Sequence, residues 1–400
     1  CMPYRPFKTK PSKYIEHSDN SDYSIVKIGR AGILGKPLST CFTFFLRSFA
    51  DSAYNDQKDL FMKRFIEQLP KAELHLHIEG TLEPDFLLEK AKKHRILLPF
   101  HSIAEIQLAY NFSNLQSFLN IYYQGMAVLK DEDDFTELAW RYFQKAHAQS
   151  VIHAEIFFDP QAHLERGISI STVLDGLCKA VERAKKELQL SVFLIPCFLR
   201  HLSEDSALDT FAQCLKFKHV ITGFGLDSSE VGNPPSKFQK VFTQAKQQGF
   251  RITAHAGEEG PPSFIEDSLD LLQAERIDHG VRCLEDEKLI KRLVREKIPL
   301  TVCPLSNLKL KVVNRLQEHP LKRMLDCGII ASINSDDPAY FGGYIADNFS
   351  ACATALNLTN KDSALAAKNS FIGSFLDANT KAAYLQKLNI YCNNNGVELG

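Results

Sequence analysis

Phe250-Arg251-Ile252-Thr253-Ala254-His255-Ala256-Gly257-Glu258 opens as a short apolar run and ends on an imidazole, a glycine and a carboxylate. A run of this length bounded by glycine reads as a buried strand. A polar cluster just past the strand's end is where barrel enzymes place their chemistry. Working outward, seven more runs of the same kind appear: Ala72–His77, Val151–Phe157, Ser191–Leu199, His219–Leu226, Arg276–His279, Pro299–Val302 and Ile329–Asn334. Between them lie stretches of helical period, with Leu115, Phe118, Leu119, Tyr122 and Met126 along Leu115–Leu129, and Leu289, Ile290, Leu293 and Val294 along Asp286–Lys297. These stripes are read as core packing. Eight strands alternating with helices predict an α/β fold, a (β/α)8 TIM-type barrel, in preference to an open sheet. About three helices are expected over residues 84–150, so the first βα connection is enlarged and is expected to form a lid over the strand ends.

The chain has 400 residues, 44% hydrophobic and 24% charged, with a formal net charge of −1. This is the composition of an ordinary soluble protein, and the absence of a Lys/Arg excess argues against a nucleic-acid partner and for a small-molecule one. The ten cysteines are scattered, with no C-x-x-C pair, which points to reduced thiols and a cytoplasmic location. The apolar stretch Cys41–Phe45 ends at Arg47, far too short to span a bilayer, so no membrane partner is expected. Residues 1–60 lack sustained periodicity and begin with Cys1, so they read as a poorly ordered extension, with Met62 a candidate natural start and the barrel domain expected over residues 61–400. A homo-oligomer is compatible with this composition.

The residues able to carry chemistry fall at predicted strand ends. His75-Leu76-His77 closes the first strand, and residues two apart face the same side, where both can reach one metal ion. His255 and Glu258 follow the fifth strand, Asp278-His279-Gly280 the sixth, and Asn334-Ser335-Asp336-Asp337-Pro338 the eighth. Singly these are weak signals, since H-x-H is more often two ordinary histidines and Asp-Asp-Pro a turn. Two adjacent buried carboxylates, however, need a cation or hydrogen bonds to offset their desolvation. Four such signals at four ends of one barrel face belong together. Three imidazoles and a carboxylate suit zinc with one position left open, and zinc so held lowers the pKa of water toward about 7. His279 and Glu258 are then the candidates for moving protons.

Pro70–His77, Thr253–Glu258, Asp278–Gly280 and Ser335–Pro338, taken in order, resemble the adenosine/adenine deaminase family of metal-dependent hydrolases, over a span from Phe65 to Leu376. The resemblance implies one zinc per subunit, held by His75, His77, His255 and Asp336. It further implies that Glu258 protonates purine N1, His279 orients and deprotonates the attacking water, and Asp337 bonds the N7 side of the base. Two departures from the adenosine-specific members resemble the adenine branch: Glu79 where those members have Asp, and Gly225–Gly232 in place of their Ala-Gly-Asp-Glu. The implied activity is hydrolysis of adenine to hypoxanthine and ammonia in purine salvage. A free base carries an imidazole N–H, and leaving it unpaired in a buried site costs roughly 1–3 kcal/mol. Glu79 or Glu230, with Ser229 beside it, is the expected acceptor, the competing reading of Glu230 being a helix cap. Adenosine or an N6-alkylated adenine is the alternative substrate, and an inactive zinc- or purine-binding scaffold the remote one. His153, His163 and His201 are read as supporting or surface residues. Phe112 and Asn114 are read either as purine contacts or as lid core.

Overall fold

Parallel strands must be buried on both faces, and the chain meets that demand by wrapping helices around a closed sheet. The computed structural model describes residues 60–399. Its strands are β1 Lys71–His77, β2 Val151–Phe158, β3 Ser191–Leu199, β4 Gly223–Asp227, β5 Arg251–Ala256, β6 Arg276–His279, β7 Pro299–Val302 and β8 Ile330–Ile333. They pair in parallel in chain order, β1 through β8. The first and last regions meet at a bridge between Leu76 and Asp336. There His77 N–H donates to Asp336 O at 3.0 Å and Asp336 N–H donates to His75 O at 3.1 Å. Closure of the barrel therefore fixes three of the expected site residues against one another. The (β/α)8 expectation is met strand for strand, with small shifts at the ends. β4 starts at Gly223 because residues 219–221 are used in a turn and an isolated bridge.

The first connection contains four helices, not three: Pro84–His94, Ile103–Ala109, Leu115–Gly125 and Glu132–Ala148. The last packs against β2 and against the helix Ile170–Glu187, so it is the barrel's own layer, and the preceding three form the insertion. Asn114 caps the third helix by accepting from Ser117 N–H at 2.9 Å. Leu115, Phe118, Leu119, Tyr122 and Met126 are all buried, as their period requires. The Glu287–Glu296 helix departs from its expected stripe. Leu289 and Leu293 are buried, whereas Val294 is exposed, because the barrel covers a narrower strip than four residues wide.

Except for Leu60, the expected extension over residues 1–60 lies outside the described residues. Among the described residues, eight cysteines are free thiols, in line with the reading of the cysteine pattern. No described helix is long and apolar enough to cross a membrane.

Candidate active site

Every imidazole expected at the site is buried at the C-terminal rim of the barrel. His75 Nδ1 lies 3.0 Å from Thr301 Oγ1, and that hydroxyl donates to Asp278 Oδ1 at 2.8 Å. With its proton committed to Asp278, Thr301 can only accept, so the His75 proton is on Nδ1 and the Nε2 lone pair faces the site. His255 differs: its Nδ1 faces Asp278 Oδ2 at 3.7 Å, beyond hydrogen-bond reach, and is buried without a hydrogen-bond partner. His77 Nδ1 faces Asp227 Oδ2 at 3.5 Å. A carboxylate or hydroxyl partner behind the ring is what a metal-binding imidazole needs to fix its tautomer, and His75 has one within hydrogen-bond reach.

The inward nitrogens converge. His77 Nε2 is 3.2 Å from His255 Nε2, and Asp336 Oδ1 lies 3.2 Å from His75 Nε2 and 3.5 Å from His77 Nε2. His75 Nε2 has no hydrogen-bond partner. Burial holds His77 down at about 4 and His255 well below the ordinary histidine range, so these rings are neutral and present lone pairs to one another. The lone pairs of His77 and His255 repel, and the Asp336 carboxylate raises His75 in spite of its burial; a cation at that point replaces both the repulsion and the proton with coordination. The donor set therefore fits a metal ion.

His279 and Glu258 flank this point, His279 Nε2 lying 3.5 Å from Glu258 Oε2 and 3.7 Å from Asp336 Oδ2. Burial pushes His279 down to about 3, leaving a neutral base. Burial, reinforced by the charges of Asp336 and Glu230, raises the Glu258 carboxyl well above its usual range, leaving a neutral acid. One base and one acid side by side can take a proton from one atom and give it to another. His279 at φ +62° and Asp336 at φ +63° both adopt the left-handed backbone region, an uncommon conformation that gathers at functional sites.

A pocket lies against these groups. Its floor is His77, His255, Glu258, His279, Asp336 and Asp337, and its roof is Leu115, Phe118, Leu119, Tyr122 and Tyr123 from the inserted helix. The lid expectation is met by this helix. Phe112 does not reach the pocket but packs edge-on against Phe118 and Phe341, so it is lid core. Asp337 Oδ1 is buried without a partner, and it rests so close to Gly80 that a Cβ there would come within 2.0 Å of it.

The far end of the pocket corrects the assignment of its acceptors. Glu79, Ser229 and Glu230 do not line it; Asp159, Asp227 and Ser228 do. Glu79 Oε1 accepts from Asp159 N–H at 3.1 Å and from His163 Nε2 at 2.7 Å, so Glu79 supports Asp159 from behind. His163 is thus a buried partner of Glu79. His201 Nδ1 lies 2.8 Å from Ser228 Oγ, and His153 is bonded to Ser191 and Glu155 away from the pocket. Asp159 Oδ1 and Asp227 Oδ1 are both buried and unpaired. The signal for these two was present: each carboxylate follows or ends a strand, as His255 and Asp336 do.

The sequence profile of the adenosine deaminase family matches residues 70–391. The chain belongs to the adenosine deaminase family. Within this family, it is 55% identical over 324 residues to the adenine deaminase of Acinetobacter baylyi, covering 81% of this chain and 98% of that one. It is 55% identical to the adenine deaminase of Zymomonas mobilis, covering 82% and 97% of the two chains. The crystal structure of adenine deaminase from Arthrobacter aurescens superposes with a TM-score of 0.80 at 48% identity, covering 81% of this chain and 99% of that one. A zinc-bound amidohydrolase from Burkholderia ambifaria superposes with a TM-score of 0.76 at 26% identity, covering 83% and 94%.

Proposed function

We propose that this member of the adenosine deaminase family hydrolyses adenine to hypoxanthine and ammonia, as its adenine deaminase relatives' names describe, in cytoplasmic purine salvage. The observation that carries the reading is the convergence of three imidazoles and Asp336 beside one neutral base and one neutral acid. His75, His77, His255 and Asp336 would hold one zinc ion per subunit, which supplies the Lewis-acid chemistry that makes water a nucleophile at neutral pH. The zinc-bound amidohydrolase of the same fold supports that choice of metal.

The side chains divide the remaining work. His279, neutral and next to Asp336, accepts a proton from the water that attacks C6. Glu258, neutral and 3.5 Å from His279, gives its proton to N1, so that the ring nitrogen and not the amine carries the developing charge. The amine then leaves as ammonia with a proton returned through the same pair. Asp337, unpaired at Oδ1, bonds the N7 side of the ring. The lid residues Leu119, Phe118 and Tyr122 cover the flat faces and exclude water. At the opposite edge the unpaired oxygens of Asp159 and Asp227 accept the imidazole N–H, which a nucleoside lacks.

Purified protein is incubated separately with adenine, adenosine and N6-isopentenyladenine, and release of ammonia or amine is followed, with Glu258→Gln as control. Release from adenine, absent in the control, is the expected result. Turnover of adenosine in preference to adenine would overturn the substrate assignment, and zinc binding without release from any of the three would favour a scaffold.

A further inference from the structure

Glu230 is fully buried, and its carboxylate is devoted to the backbone that carries Glu258. Oε1 accepts from Gly257 N–H at 2.9 Å, while Oε2 accepts from Glu258, Glu259 and Gly260 N–H at 2.9, 2.8 and 2.7 Å. Four consecutive amides thus curl around one carboxylate contributed by a different βα loop. The turn is closely packed, since a Cβ on Gly260 would lie 2.6 Å from Phe264 Cδ2 and 2.8 Å from Glu230 Oε1. Buried Arg200 ties the same unit to the metal cluster: its Nη1 donates to His255 O at 3.0 Å and lies 3.5 Å from Glu230 Oε1. Arg282 clasps the turn from outside, donating to Glu259 O at 2.6 Å.

The geometry points to Glu230, backed by Arg200, as the positioning residue that aims the Glu258 carboxyl at the proton-accepting nitrogen of the bound base. This rests on the assignment of Glu258 as proton donor and adds the device that holds it. Hydrogen bonds from four amides to a charged acceptor are strong and directional, and they fix the main chain at the residue whose side chain must act. The charge on Glu230 also favours the neutral form of Glu258. Neither effect requires Glu230 to touch substrate, so it affects turnover more than binding.

The test uses the zinc-loaded full chain with Glu230→Gln, which presents an NH2 donor to amides that now find an oxygen. The expected result is a fall of about 100-fold in kcat on adenine, with KM changed by less than a factor of about three. Hydrogen–deuterium exchange should quicken at residues 257–260 and stay unchanged in the strands. Glu230→Asp recovers part of kcat. Unchanged protection at residues 257–260 in Glu230→Gln would overturn the inference, as would a loss in kcat matched by lost protection across the barrel. If wild type fails to turn over adenine, the substrate assignment fails, and exchange at residues 257–260 still decides whether Glu230 holds the turn.

Discussion

At the scale of the residue, the site separates groups that meet the reacting atoms from groups that aim them. The residues of the proposed donor set, His75, His77, His255 and Asp336, and of the proposed pair Glu258 and His279 stand out in the sequence because each falls at a strand end with chemistry that recurs at neighbouring ends. Glu79 and Glu230 were legible as unusual residues, but not in their place, since only the fold reveals that Glu79 bonds Asp159 and Glu230 bonds the 257–260 turn. Asp159 and Asp227 stand at strand ends without a motif around them, and their unpaired oxygens in the pocket give them their meaning. Replacing Asp159 by Ala removes an acceptor for the free-base N–H, so KM for adenine should rise roughly 5- to 150-fold, the equivalent of about 1–3 kcal/mol. Steady-state kinetics check this, and an unchanged KM would remove Asp159 from the substrate-reading edge.

At the scale of the element, strand positions followed from apolar runs bounded by glycine or polar residues, whereas the number of helices in the first connection did not. Ile103–Ala109 is short, and only Ile106 in it is buried, so it leaves little periodic trace. The roof helix Leu115–Gly125 carries its period plainly, with Asn114 and Ser117 forming a reciprocal cap at its start. Asn114→Ala should cost about 1 kcal/mol at this end and leave the barrel untouched. Faster amide exchange over residues 114–120, with unchanged exchange in β1 through β8, is the expected signature. A uniform rise across the chain would mean that the roof helix does not open as a separate unit.

At the scale of the whole molecule, the barrel's stability depends on a buried polar cluster that no local pattern announced. Glu155 on β2 meets Arg276 on β6, and both are fully buried; Arg276 also donates to Leu74 O at 3.2 Å. Residues 155 and 276 are far apart in sequence, and nothing in either strand alone, VIHAEIFF or RIDH, tells which polar residue meets which. Burial by itself would raise the Glu155 carboxyl, but Arg276 and His153 overcome it and hold it down at about 2, below the ordinary 4.5. A depressed carboxyl contributes stability above its unfolded pKa and loses it as pH falls toward the folded one. The contribution is therefore complete above pH 4.5 and disappears on the way down to about pH 2. Glu155→Gln leaves buried Arg276 with Asp278, 3.5 Å from its Nε, as its remaining counter-charge, and should destabilise the barrel near neutral pH by less than the roughly 3–5 kcal/mol of a fully unpaired buried charge. Denaturant melts of both proteins from pH 7 downward check this, with the gap expected to narrow in the acid window. A constant gap would place the effect in packing and not in charge.

The central claim, hydrolysis of adenine at this cluster, is tested most directly by the mass of the product made in 18O-labelled water. The account predicts hypoxanthine carrying one 18O atom at C6 together with released ammonia, formed by wild type and not by Glu258→Gln. Absence of labelled hypoxanthine from zinc-loaded wild-type protein, or its equal formation by the variant, would contradict it.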